Sequence, residues 1–192
     1  NRSERNRIVQ LITRIGAPAR KPLLERLRQG GPWFYVRNLV MLLGRIGEAK
    51  DMETLSRFLD DSEFRVQREA VLAIQSIGGI EAGDLLLNRL DDVPDPVKSV
   101  IISVLGMMNY QQALPYLVMK LENRGLGESR EARVEINVKI CEALGRMGDA
   151  RARPLLEQVA RPRKIFWGSS YDPKVRAAAA SALAHIEQAG EG

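Results

Sequence analysis

In 192 residues the sequence holds a single cysteine, Cys141, and a single histidine, His185. One thiol excludes an intramolecular disulfide, and together with one imidazole it supplies no tetrahedral ligand set for zinc. Nucleophilic catalysis is short of parts for the same reason, because a Cys-His pair or a Ser-His-Asp relay would rest on that one imidazole. Aromatic residues make up only 5% of the chain while 45% is apolar, so the core has to be aliphatic, which favours helices over a β-sandwich. No apolar run approaches the roughly 20 residues that span a bilayer. Residues 1–14 carry too many arginines among their apolar positions for a signal peptide. A reducing cytoplasm is the expected compartment, and the initial Asn is expected of a piece of a longer chain. Gly30-Gly31 and Gly125-Leu126-Gly127 lack the lysine and strand context of a phosphate loop and read as linker glycines.

What the sequence does have is a period. Gly16, Gly47, Gly78, Asn109, Gly148 and Glu187 end similar segments, first at steps of 31 residues and then at two steps of 39. Two insertions of eight residues into a constant unit account for the longer steps. Four residues before each of these anchors stand Ile12, Leu43, Ile74, Leu105, Leu144 and Leu183. Seven residues before it stand Val9, Val40, Val71, Ile102, Cys141 and Ala180. Further apolar columns lie one and eight residues before it, so all four fall on one face of a helix. Cys141 is therefore expected to be a buried, inert thiol. Gly or Asn at the anchor suits a positive φ just past a helix C-terminus.

A second helix follows each of the first five anchors, with Leu24, Leu55, Leu86, Leu117 and Leu156 in one column. Pro22, Pro115 and Pro154 share another column, expected early in that helix, where a missing N–H costs little. Asp60, Asp61, Asp91, Asp92 and Asp172 fall between units as expected capping residues. His185 shares the column of Arg14, Arg45 and Arg146 on the solvent side of the first helix.

The run Leu144-Gly145-Arg146-Met147-Gly148-Asp149-Ala150, and Val175-Arg176 followed by small residues through Ala180, resemble HEAT repeats of the short type named after phycobilisome lyases. The resemblance covers nearly the whole chain. It implies an all-α, right-handed α-solenoid of about five and a half helix-turn-helix repeats, first helices convex and second helices concave. The expected organisation is a single domain, with repeats near 1–31, 32–62, 63–93, 94–131 and 132–171 and a half-repeat cap over 172–192.

Departures from the period carry the functional reading, because packing does not require them. The first insertion, around Glu122 to Arg133, is polar. The second, Arg161 to Asp172, joins three cations to Phe166, Trp167 and Tyr171. Trp33 and Phe34 follow Gly30-Gly31-Pro32 in what reads as an inter-repeat loop. Charge is uneven: residues 1–46 hold ten basic against two acidic residues, 47–131 nine against fifteen, and 132–192 ten against seven. The expected function is a protein-interaction or scaffolding module that is not an enzyme and has no catalytic, cofactor or metal site. Its contacts with a protein or peptide partner would be Arg26 and Arg57 on second helices and Trp33, Phe34, Arg163, Lys164, Phe166 and Trp167 in loops. The alternative is phosphate-backbone binding of nucleic acid by the basic first repeat, which the acidic middle of the chain opposes. A bilin-lyase-like role in chromophore binding comes third.

Overall fold

The structure is a computed structural model that describes residues 2–123, 127–161 and 171–190. The chain is all-α, with no strand among the described residues. Its contacts divide it into two compact units, Asn1–Leu86 and Leu87–Gly192. The first carries α1 (Arg2–Ile15), α2 (Ala17–Gln29), α3 (Trp33–Ile46), α4 (Met52–Ser56) and α5 (Phe64–Ile77), and the division falls within α6 (Gly79–Asn88). The second carries α7 (Asp95–Met107), α8 (Leu114–Glu122), α9 (Arg130–Met147), α10 (Arg153–Ala160) and α11 (Pro173–Gly190).

First helices stack side by side: α3 on α5 in the first unit, and α7, α9 and α11 in succession in the second. Second helices lie against them, α2 on α3 and α10 on α11. The apolar columns explain this order. Val40, Val71, Ile102 and Cys141, and three residues on Leu43, Ile74, Leu105 and Leu144, are all fully buried. Each side chain of that kind, taken out of water, stabilises by about 1.5–3 kcal/mol.

Stacking is closest at one further column, three residues before the anchor. Gly44, Gly106 and Gly145 stand there, and a Cβ on them would lie 2.6, 2.7 and 2.8 Å from the Cα of Ala73, Ala143 and Ala182 respectively. Each glycine lets the next first helix approach backbone to backbone. Between the first and second copies the corresponding positions hold Thr13 and Leu42. A Thr-Leu pair cannot close that far, and α1 packs on α3 much more sparsely than α3 packs on α5.

The helix ends follow the anchor chemistry. Asn109 (φ 51°) and Gly148 (φ 66°) take the left-handed conformation that stops a helix. Gly47 departs from it at φ −76°, and there glycine is needed for space, since a Cβ would stand 2.4 Å from the Leu43 carbonyl oxygen. Short 3₁₀ turns open the second helices of three copies, at Ala49–Asp51, Gln111–Ala113 and Ala150–Ala152. Pro115 and Pro154 then fall at the start of α8 and α10, as their column predicts. Pro22 does not: α2 runs unbroken from Ala17, so Pro18 occupies its first turn and Pro22 lies inside the helix. Lacking an N–H, Pro22 leaves the carbonyl one turn back without its helical donor.

Among the interrepeat aspartates, Asp172 accepts the Lys174 N–H (2.9 Å) and Asp61 the Glu63 N–H (2.8 Å), both at helix starts. Asp91 acts instead as a clamp, accepting from Tyr116 Oη (2.6 Å) and Lys120 Nζ (2.9 Å). Burial raises the Tyr116 pKa, and Asp91 raises it further by hydrogen bond and charge. A stronger tie joins α2 to the turn before α4. Arg20 Nε donates to Asp51 Oδ2 (2.6 Å), which also accepts the Glu48 N–H (2.9 Å). Burial pushes the Asp51 carboxyl up, but the Arg20 and Glu48 hydrogen bonds and the charges of Arg20 and Lys50 outweigh it and hold its pKa below the usual range.

The described residues of both insertions are tied to the repeats by hydrogen bonds. The first lengthens α9 by its N-terminal turns, with Ser129 Oγ capping through the Ala132 N–H (3.0 Å) and the Glu128 N–H donating to Asp95 (2.8 Å). In the second, Tyr171 donates to the Leu121 carbonyl (2.8 Å), and Arg163, Lys164, Phe166 and Trp167 lie outside the described residues. Trp33 and Phe34 correct the sequence reading. They form the first turn of α3 rather than a loop, because Pro32 ends the connection and its carbonyl accepts the Tyr35 and Val36 N–H groups.

Candidate functional site

The loose contact of α1 with α3 opens a groove of about 800 Å³ in the first unit, walled by α1, α2 and α3. Ile8, Ile12 and Ile15 come from α1 at helical spacing. Pro22 and Leu23 face them from α2, and Leu39 and Leu42 from α3. Ile8 and Ile15 are 55% and 56% exposed, although the column of Ile8 is fully buried at Ala70, Ile101 and Ile140 in later copies. What the later helices seal, the first copy leaves open.

Charge surrounds the groove without filling it. Among the described residues, Glu4 and Arg26 are the only charged ones that line it. Arg7 and Arg14 run along one flank of α1, and Lys21 and Arg28 along one flank of α2, all exposed. Among the described residues none of these four forms an ion pair. Arg26 donates only to Gln29 (3.2 Å).

Of the residues expected to contact a partner, Arg26 reaches the groove. Arg57 does not line it; it is exposed beyond α4 and pairs with Glu53 at 3.4 Å. Trp33 is committed to a local stack, with the Arg65 and Arg37 guanidinium carbons 4.7 and 5.5 Å from its ring centre and Phe34 edge-on at 5.9 Å. A ring flanked by two cations has little face left on which a base could stack. Phe34 itself is 53% exposed.

His185 shares a depression of about 270 Å³ between α9 and α11 with Glu142, Arg146 and Ser181. No hydrogen bond joins His185 to Ser181 or Glu142, whose carboxylate is held by Lys139 at 3.0 Å. Cys141 is fully buried, and burial pushes its thiol up to about 12. Iodoacetamide at pH 8 is therefore expected to leave the folded protein unlabelled and to label it once denaturant is added. Rapid labelling of the native chain would show that the thiol is reachable. Among the described residues no three His, Cys, Asp or Glu side chains converge as metal ligands, and no helix is long and apolar enough to cross a membrane.

Residues 20–106 match the family model for HEAT repeats. These are HEAT repeats. The match is to HEAT repeats as such, and the phycobilisome-lyase subtype is a finer assignment than it carries. No curated protein matches the sequence. Among solved structures the chain is similar to human deoxyhypusine hydroxylase in complex with glycerol, at a TM-score of 0.59 and 21% identity over 78% of this chain. The likeness spans 48% of that structure, so this chain corresponds to about half of it. At that identity the likeness is one of fold.

It nevertheless corrects one expectation, that the chain is not an enzyme. A hydroxylase is an enzyme, so a stack of helical repeats gives no ground for setting catalysis aside. The physical reason is that repeat packing fixes only the buried columns, leaving the exposed positions free to carry chemistry or not.

The groove itself escaped the sequence reading. Its residues sit in the columns that mark a buried core everywhere else, so Ile8, Ile12 and Ile15 look like core. The signal was the loss of the close-approach pair between the first two copies, where Thr13 and Leu42 stand in the positions of Gly44 and Ala73.

Proposed function

We propose that the chain is a protein-interaction module whose HEAT repeats hold a partner polypeptide in the groove between α1, α2 and α3. The supporting observation is the open apolar groove, whose walls belong to columns that are core in the later copies. An open apolar groove with a few polar groups at its edge is the form that binding sites for peptides and other ligands take. Helix-in-groove docking is the matching mode, with apolar anchors at i, i+3/4 and i+7 laid between helices.

The test is photo-crosslinking from the groove floor. A benzoylphenylalanine at Pro22 is expected to yield discrete protein adducts in native lysate that survive nuclease, and Ile8→Asp with Ile15→Asp is expected to abolish them while circular dichroism is unchanged. Absence of any protein adduct would sink the reading. Nuclease-sensitive material that elutes steeply with salt would replace it with phosphate binding by the basic first repeat.

A further inference from the structure

We infer that the partner of this groove is an acidic amphipathic helix, its apolar stripe on Ile8, Ile12 and Ile15 and its carboxylates on the cations of the rim. The inference rests on the groove reading and names the chemistry of the occupant.

Shape argues for a helix. Each later first helix has its apolar face covered by neighbouring helices, and the columns of Ile8 and Ile12 are the ones so covered. The space left beside α1 is therefore bounded by helix surfaces already spaced to receive side chains at helical intervals.

Charge argues for acid. Residues 1–46 hold ten basic against two acidic residues. Arg20 is taken up by Asp51 and Arg37 by its contacts with Trp33 and Asn38. Arg7, Arg14, Lys21 and Arg28 are left exposed in two rows, one on α1 and one on α2, that flank the groove. Glu4 and Glu25 are the opposing charges on these two helices. An incoming helix with Glu or Asp beside its apolar stripe would place carboxylates along both rows, whereas a lysine-flanked helix would meet like charge on each side. The same balance disfavours a second copy docking first unit to first unit, since each would bring the basic excess to the other.

A panel of three fluorescent helical peptides with one apolar stripe, flanked by Glu, by Gln or by Lys, distinguishes the cases when titrated into the full chain by anisotropy. The Glu peptide is expected to bind about tenfold more tightly than the Gln peptide at low salt, from several exposed pairs acting together, and the Lys peptide more weakly than either. That advantage should shrink as salt approaches 0.5 M. Lys21→Glu with Arg14→Glu changes only exposed side chains and should remove or invert the preference. Equal binding of all three peptides would overturn the acidic assignment and leave the groove reading standing. No binding by any of them, with no crosslink from Pro22, would overturn both. Concentration-dependent self-association that blocks the peptides and is lost in Ile8→Asp would assign the groove to a second copy instead.

Discussion

Gly44→Ala is expected to destabilise the first unit by about 2 kcal/mol, against the usual direction of that substitution. In an exposed helix interior, alanine is the better residue by roughly 1 kcal/mol. At Gly44 the added methyl would stand 2.6 Å from Ala73 Cα and 3.1 Å from its carbonyl oxygen. Backbone cannot turn aside as a side-chain tip can, so α3 and α5 have to separate along the fully buried columns of Leu43 and Ile74. Overpacking of that kind costs about 1–3 kcal/mol before the lost contacts are counted. Gly106→Ala and Gly145→Ala meet Ala143 and Ala182 in the same way and should behave alike in the second unit. Thr13→Ala, at the same column of the first copy, has no such neighbour and should be nearly neutral. Urea melts of the four variants check the set. Stabilisation by Gly44→Ala would mean that the close stacking of first helices is not what holds this unit together. Adding Ala73→Gly should recover only part of the loss, because the Ala73 Cα and carbonyl stay in place.

Arg20→Ala is expected to cost about 3 kcal/mol, as breaking one side of a buried pair does. Asp51 is 2% exposed and would keep its charge with only the Glu48 N–H and the more distant Lys50 to answer it. The pH dependence separates this cause from lost packing. In the parent chain the folded carboxyl has a lowered pKa. Its contribution is therefore fully present above the unfolded value of ~4, and is lost as pH falls through the folded value. Without Arg20, burial outweighs the remaining hydrogen bond and charge and raises the folded pKa, so the sign inverts and protonation now favours the folded state. The gap in stability between variant and parent should narrow steadily from pH 7 to pH 4. A gap independent of pH would show that Arg20 contributes through its aliphatic stem instead. Arg20→Ala combined with Asp51→Asn should regain more than half of the loss, since no unpaired charge is left buried.

The repeat was legible before any helix packed. Period, helix pairing and the buried columns were readable because every copy has to bury the same face against its neighbours, which writes the same residue type at the same interval. Cys141 in the column of Val40 and Ile102, and His185 in the column of Arg146, were placed on that basis and stand where the columns put them.

The places where one copy departs from the others emerge only once the helices are packed. Thr13 and Leu42 are ordinary helix residues in sequence, yet in the positions where Gly44 meets Ala73 one copy later they leave α1 apart from α3, and three isoleucines that read as core become the wall of an open groove. Pro32 moved Trp33 and Phe34 from a loop into the first turn of α3, and Arg65, from the next first helix, took up the tryptophan face. Periodicity reports what each residue contributes to its own helix. How closely two helices approach depends on pairs of residues in different copies, and that spacing is set only when the helices pack.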